Sequence, residues 1–290
     1  RRSQRQTPFD GLMLESPVFQ GSTPRLQRAE GEGRVTIKAR DGLSVLDTLY
    51  QYGCGKIRIP KAYGNWLEAV LINTSGGLTG GDRMAWSATA AANTHLAITT
   101  QACERIYRST GGAARVTTTL SVEPGARLDW LPQETIVFDG SELERTIDVD
   151  MARDATFLGL EVVILGREAH GEDAVSAMIS DRWRVRRDGE LIHAEAARLD
   201  AHDMPARANS ALLHGARAYG TLCYIAKDAE RRVEHLKVLI ADHPTAGVSR
   251  IGEKIVLRAT GRSGYHLRKI IMPAIAALSG AGAVPKLWSL

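Results

Sequence analysis

The chain has 290 residues, of which 44% are hydrophobic, and a formal net charge of +4. This length can bury a substantial core, and no apolar run approaches the roughly 20 residues that a membrane span needs. The charge is too mild to indicate a nucleic-acid partner. Three cysteines without C-x-x-C spacing indicate a reducing compartment and argue against a structural zinc site. The first residues also lack the apolar stretch of a secretory signal, so we expect a cytoplasmic protein without a membrane partner.

The N-terminal segment, residues 1–32, is polar, basic and interrupted by glycine and proline. We expect this segment to be flexible, with at most one edge strand near Leu12–Phe19. Apolar and polar residues begin to alternate at Val35–Ala39. Residues 33–290 are therefore expected to form a single β domain.

Four glycines, Gly76, Gly77, Gly80 and Gly81, follow an apolar run and directly precede Asp82. Glycine permits positive φ and close approach of neighbouring backbone, so the pattern predicts a tight, buried turn. Asp82 either caps this turn by accepting backbone N–H groups or faces a cavity. The spacing does not fit G-x-G-x-x-G, and no Gly-Lys-Ser or Gly-Lys-Thr follows, which argues against a nucleotide site.

Period-2 stretches separated by turn signals continue along the chain and indicate an all-β body. The stretches are 116–122, 128–130, 136–138, 147–151 and the more apolar 158–165. The segment 221–226 is typical of a buried strand, and 250–258 of another. The body is therefore predicted to be mostly β-sheet.

The segment Arg182–Leu199 predicts a β-hairpin, because Asp188-Gly189 is a two-residue turn signal. With that turn, Val185 is expected to face Ile192 and Trp183 to face Ala194. Arg184 and Arg186 would share the opposite face with His193 and Leu191, next to Arg182. These three arginines form either a solvated edge that blocks aggregation or a surface for an acidic partner.

Two segments have helical periodicity. In Asp228–Ala241 the predicted apolar face contains Val233, Leu236, Val238 and Ile240. The second helix, His266–Leu278, has a longer apolar face, and Pro273 should kink or break it. The apolar positions of this second helix are Leu267, Ile270, Ile271, Ala274, Ile275 and Leu278.

Several ordered motifs together resemble the urease accessory protein family UreD, called UreH in some species. They are GGLTGGD (76–82), TTQACERIYRS (99–109), PQETIVFDGS (132–141), GLEVVILGREAHGE (159–172) and the closing PKLWSL (285–290). Lys286 stands where the family has arginine, so a planar bidentate contact there is not expected. The resemblance implies an all-β-dominated, β-helix-like stacked strand sandwich with two α-helices near the C-terminus.

The resemblance also implies a function. Members of this family are scaffolds rather than enzymes: they join apo-urease subunits to UreF and, through UreF, to the GTPase UreG, which brings nickel. A polar tunnel through the β body is the route proposed for Ni²⁺, which would pass through without a permanently bound cofactor. Carboxylate oxygens suit such transit, because several His or Cys side chains together would retain nickel.

Four acids are therefore candidates for a nickel path: Asp82, Asp139, Glu161 and Glu172, with Gln133 and Glu134 as second choices. Glu161 interrupts an apolar strand, so it is expected either to pair with an arginine such as Arg105, Arg108 or Arg167, or to line a wet passage. Candidate partner-binding residues are Arg182, Arg184, Arg186 and Trp288. Trp288 either anchors UreF or packs in the core.

Two other functions remain open from the residues alone. A carbohydrate-active β enzyme could use Glu161 and Glu172 as a catalytic pair, although aromatic residues make up only 6% of the chain. A nucleic-acid binder could use the strand Arg182–Arg187, but aromatic residues are not interleaved there. Cys103 is expected to be a small buried filler rather than a nucleophile.

Overall fold

A computed structural model describes residues 27–61, 64–200 and 206–289. The edge strand predicted at Leu12–Phe19 and most of the segment predicted to be flexible lie outside these residues. The first strand begins at Glu30, so residues 30–32 belong to the β body rather than to the segment before it.

In the described part of the chain, strands β1–β17 build two sheets that face each other. Their bounds are β1 Glu30–Arg40, β2 Leu43–Gly53, β3 Gly55–Arg58, β4 Leu67–Asn73, β5 Arg83–Ala90, β6 His95–Thr100, β7 Glu104–Ile106, β8 Ala114–Val122, β9 Arg127–Trp130, β10 Thr135–Val137, β11 Glu142–Met151, β12 Thr156–Leu165, β13 Met178–Arg187, β14 Glu190–Leu199, β15 Ala218–Ile225, β16 Ala246–Ile251 and β17 Lys254–Gly261. Sheet A has the order β14-β13-β11-β8-β5-β1-β2. Sheet B runs β16-β17-β15-β12-β9-β6-β4-β3, with β10 paired to β12 and β7 to β10.

Successive turns of the chain stack in parallel and give the body a solenoid-like form. β1, β5, β8, β11 and β13 pair in parallel in sheet A, and β4, β6, β9 and β12 do so in sheet B. Leu67, Leu96, Leu128 and Phe157 occupy matching positions, about 30 residues apart along the chain. The predicted fold class, a mostly-β stacked sandwich with two helices, is confirmed.

A third, shorter ladder branches from sheet B along one side of the body. β7, β10 and the end of β12 pair in parallel, and an isolated bridge continues the ladder. Leu78, Ile106, Val137 and Leu165 stack there, all fully buried. This side places the glycine turn, the segment 104–109 and the loop after β12 next to one another.

Two helices cover the outer face of sheet B, α1 (Ala229–Leu239) and α2 (Gly264–Leu278). All six apolar positions predicted for α2 are buried, and α2 continues through Pro273 instead of breaking, because these six side chains hold it on the sheet. The predicted face of α1 was partly wrong. Val233 and Leu236 are buried, whereas Val238 is 75% exposed, since it lies two residues from Leu236 on the opposite side of the helix.

The hairpin β13–β14 exists, but its predicted register was wrong. Val185 pairs with His193, and Trp183 pairs with Glu195, because a register shift next to Val185 leaves Ile192 as an extra residue. His193 therefore lies on the buried face with Trp183, and the two rings meet edge to face with centroids 6.3 Å apart. β13 is also an inner strand, because β14 forms the edge of sheet A.

Candidate functional site

Asp82 fixes the glycine turn to the start of β1. The Asp82 carboxylate is 4% exposed and accepts hydrogen bonds from the backbone N–H groups of Ala29 and Thr79, both at 2.8 Å. Gly77 has φ of 145°, and a Cβ there would lie 2.4 Å from the Tyr107 ring. The sequence left open whether Asp82 caps the turn or faces a cavity, and this geometry is that of a turn cap.

Asp139 and Glu172 lie together beside the third ladder. The backbone N–H of Asp139 donates to Glu172 Oε1 at 3.2 Å, and Arg108 Nη2 donates to Asp139 Oδ2 at 2.6 Å. Burial alone would raise the pKa of Asp139, but hydrogen bonds from Ser176 and Arg108 hold it below its usual value. The hydrogen bond from Arg167 likewise lowers the pKa of Glu172. Both carboxylates are therefore ionised at neutral pH.

Glu161 lies between the two sheets, in a set of ionisable side chains that we call the ionic layer: Arg145, Glu161 and Asp181. Glu161 is 6% exposed and forms an ion pair with Arg145, which also pairs with Asp181. Trp130 Nε1 donates to Glu161 Oε1 at 2.9 Å, and Arg145 Nη1 donates to Thr135 Oγ1 at 3.0 Å. The predicted partners Arg105, Arg108 and Arg167 were wrong, because Arg145 reaches Glu161 from the facing sheet.

The ionic layer contains one cation and two carboxyl groups, so it carries an excess negative charge when both acids are ionised. Burial raises the pKa of Glu161 to about 7, and the charge of Asp181 adds to this rise while Arg145 opposes it. Burial disfavours the charged form of Arg145, but Asp181 and Glu161 outweigh it and raise its pKa. Arg145 therefore stays charged, and Glu161 can exchange a proton near neutral pH.

Polar groups continue from the ionic layer to the surface of the hairpin. A small cavity of about 10 Å³ is lined by all three members of the layer, and also by Glu195 and Tyr219. Asp181 Oδ1 and the Tyr219 hydroxyl have no hydrogen-bond partner among the described residues. Glu195 accepts from Thr221 Oγ1 and from Arg258 Nη2, both at 2.8 Å, and Arg258 is largely exposed. Polar groups therefore extend from the ionic layer to Glu195, whose partner Arg258 is largely exposed.

The four acids predicted for a nickel path do not form one cluster. Asp139 and Glu172 are adjacent, while Asp82 lies at the glycine turn and Glu161 lies between the sheets. Within residues 27–61, 64–200 and 206–289, no three His, Cys, Asp or Glu side chains come together in a way that could hold a metal ion. Glu161 pairs with Arg145 between the sheets, whereas Glu172 pairs with Arg167 at one side of the body, so the geometry does not favour the predicted glycosidase pair.

The second-choice residues lie beside α2. Glu134 is 2% exposed and is bound in a fork by Arg268, whose Nε and Nη2 donate at 2.6 and 2.8 Å. Gln133 Nε2 donates to the Thr100 carbonyl at 3.0 Å. Cys103 lies next to Glu134, and burial raises the pKa of its thiol to about 12, so it is not an activated nucleophile.

The candidate partner-binding residues divide into two groups. Arg182 is exposed, whereas Arg184 and Arg186 are half-buried and bind within the chain, to the Trp183 carbonyl at 2.8 Å and to Asp148 at 3.5 Å. Trp288 is 1% exposed and donates to the Leu131 carbonyl at 3.1 Å. Trp288 therefore packs in the core, and the prediction that it anchors a partner at the surface was wrong.

Sequence reasoning missed most of the ionic layer. Arg145 lies between Leu143 and Ile147 at the buried positions of its strand, and Asp181 lies likewise between Ile179 and Trp183. The signal was the same one that identified Glu161, an ionisable residue in phase with buried apolar neighbours.

Comparison with known proteins gives the family. A family model described as UreD urease accessory protein matches residues 29–289. The chain belongs to the UreD family. It is 54% identical to the urease accessory protein UreD of Chelativorans sp. (strain BNC1), over 96% of this chain and 100% of that relative. It is 45% identical to the same protein of Rhizobium rhizogenes, over 93% of this chain and 98% of that relative.

None of the described helices is long and apolar enough to cross a membrane.

Proposed function

We propose that this chain acts in urease maturation as a scaffold without catalytic activity of its own. In this role it links apo-urease to UreF and, through UreF, to the GTPase UreG, and it provides a route for Ni²⁺ into the urease active site. The observation that carries the proposal is UreD family membership over nearly the whole chain, because the relatives are named urease accessory proteins.

The ionic layer supports the nickel route. Glu161, Asp181 and Glu195 place carboxylate oxygens around one small cavity, with a single buried arginine between two of them. An excess of buried negative charge favours uptake of a cation, and carboxylates bind divalent nickel more weakly than imidazole or thiolate does. Weak oxygen ligation suits an ion that must leave again.

The acids named from the sequence take different places in this proposal. Glu161 is the interior acid of the route, with Asp181 and Glu195 at the same cavity. These three acids do not form a set of ligands that could hold an ion, which suits transit rather than storage. Asp139 and Glu172 lie together at one side of the body, but Arg108 and Arg167 already pair with them, so they are weaker candidates than Glu161. Asp82 is the weakest candidate, because backbone N–H groups already occupy both of its oxygens.

The test is co-expression of a urease operon with variants of this chain, scored by the nickel content of purified urease. We expect Glu161→Gln with Asp181→Asn to lower nickel loading while UreF and apo-urease still co-purify. The matched control is Glu144→Gln, since Glu144 adjoins Arg145 on β11 but is half exposed and pairs with Arg115 at 2.8 Å. Unchanged nickel loading in the double variant would remove the ionic layer from the route.

The scaffold role has a separate readout. We propose Arg182, the exposed arginine of the predicted stripe, as a partner contact, whereas Arg184 and Arg186 are already engaged within the chain. Arg182→Glu should weaken capture of UreF or apo-urease by the tagged chain. Retained capture of both would leave the arginine stripe without a docking role, and failure of the wild-type chain to capture either would contradict the scaffold proposal itself.

A further inference from the structure

Among the described residues, β2 forms one edge of sheet A and β14 forms the other, and the two edges differ in their side chains. β2 carries exposed apolar side chains along its length, Leu43, Leu46, Leu49, Tyr50 and Tyr52, each between 38% and 52% exposed. Its one ionised side chain, Asp47, is bound by Lys38 at 2.7 Å. A long, uncharged, apolar edge is a template for pairing with another strand.

The opposite edge of the same sheet, β14, shows how this protein protects an edge. β14 carries Glu190, Glu195 and Arg198, and a register shift interrupts its pairing with β13. Charged side chains and bulges are the usual devices that prevent edge-to-edge association. β2 has a register shift near Asp47 but no lysine, arginine or proline, and its stretch Thr48–Gly53 pairs regularly with β1.

The sandwich core is also open at β2. Leu49 pairs with Val35 and Leu46 with Ile37, so both leucines lie on the face of sheet A that points into the core. Val35 and Ile37 are fully buried, whereas the two leucines remain 38% exposed. The reason is that β3, the last strand of sheet B at this end, spans only Gly55–Arg58.

We propose that β2 pairs with β2 of a second copy of this chain, in an antiparallel, two-fold symmetric contact that continues sheet A across both copies. The edge can pair with a copy of itself, because each face carries a large apolar side chain, Tyr50 on one and Leu49 on the other. Its single acid, Asp47, is already neutralised within the chain. With the two-fold axis at Tyr50, Thr48 lies opposite Tyr52, and Tyr50 lies opposite its own copy. Asp47 then meets Gly53 rather than another Asp47, so the register brings no like charges together.

The first test is sedimentation equilibrium of the full chain across micromolar concentrations. We expect a reversible dimer of twice the 31.5 kDa chain mass. Leu49→Lys should shift the equilibrium to monomer, because an added charge on each edge repels its copy. The matched control is Leu191→Lys on β14, a leucine 49% exposed at the other edge of the sheet, which should leave the dimer intact. A wild-type monomer at all concentrations, or a dimer lost only in the control, overturns the proposal.

A cross-linking test does not depend on a weakened variant. Tyr50→Cys should form an intermolecular disulfide under mild oxidation, since residues directly opposite in an antiparallel pair have Cβ atoms within disulfide reach. The controls are the wild-type chain, which keeps its own cysteines, and Tyr265→Cys, a site 67% exposed on α2. Equal cross-linking in all three overturns the proposal. So does protection of β2 amides from hydrogen exchange that requires added apo-urease, because the occupant would then be that partner.

Discussion

Replacing Glu161 with glutamine tests whether the ionic layer carries excess negative charge. In the folded chain burial raises the pKa of Glu161 from 4.5 to about 7. The folded state therefore binds this proton more tightly than the unfolded state, and the free energy of unfolding falls as pH rises from about 4.5 to about 7. Glutamine has nearly the same shape and no proton to lose, so the variant lacks this dependence.

The size of the effect follows from the pKa difference. One pKa unit corresponds to about 1.4 kcal/mol, so the raised pKa of Glu161 lowers the free energy of unfolding by roughly 3 kcal/mol in total. Somewhat over 2 kcal/mol of this loss falls between about pH 5 and pH 8. We expect Glu161→Gln to gain that amount in unfolding free energy relative to wild type over this interval. Urea unfolding followed by tryptophan fluorescence measures it, because Trp130 donates directly to Glu161.

Glu144→Gln is the matched control for this measurement. Glu144→Gln, at a half-exposed acid on the same strand as Arg145, should change by a constant amount across the interval. Parallel curves for wild type and Glu161→Gln would mean that Arg145 fully compensates the burial of Glu161. A variant that loses stability relative to wild type as pH rises would show that the pKa of Glu161 is depressed, and the excess charge would not exist.

Three further substitutions test the packing by the same unfolding measurement. Gly77→Ala should cost roughly 2 kcal/mol more than Gly111→Ala, since the two glycines have φ of 145° and 150° but only at Gly77 would the added methyl strike the Tyr107 ring; equal costs would contradict this. Trp288→Ala should cost about 3 to 5 kcal/mol because the indole is buried, and a cost below about 1 kcal/mol would contradict core packing. Val238→Lys should stay within about 0.5 kcal/mol of wild type, because that side chain faces solvent.

Local patterns predicted the elements well. Alternation identified the strands, and the spacing of Leu267, Ile270, Ile271 and Ala274 identified the buried face of α2. These signals work because a side chain's direction depends only on its position in its own strand or helix. The stacking of the strands was not predicted by pattern, because positions such as Leu67 and Leu96 share an apolar side chain but no wider repeated sequence. The family resemblance supplied the arrangement.

Contacts between distant segments account for the errors. A single extra residue, Ile192, shifts the register of the hairpin, and an isoleucine side chain is not a sequence signal for a bulge. Arg145 reaches Glu161 because sheet A faces sheet B, whereas the predicted partners Arg108 and Arg167 pair with Asp139 and Glu172. Trp288 lies near the chain end, yet it fills the space between α2 and Leu131. In each case the deciding partner is remote in sequence.

The composition of the ionic layer itself argues for a function. A buried arginine is neutralised by one acid, and a second acid adds a desolvation cost without a second cation to offset it. The layer nevertheless pairs Arg145 with both Glu161 and Asp181, and it leaves Asp181 Oδ1 without a partner among the described residues. Departures from the most stable arrangement concentrate where a protein binds something. A cation that spends part of its time beside these two acids would balance the layer, so the feature that weakens the fold at neutral pH is the one that a metal route requires.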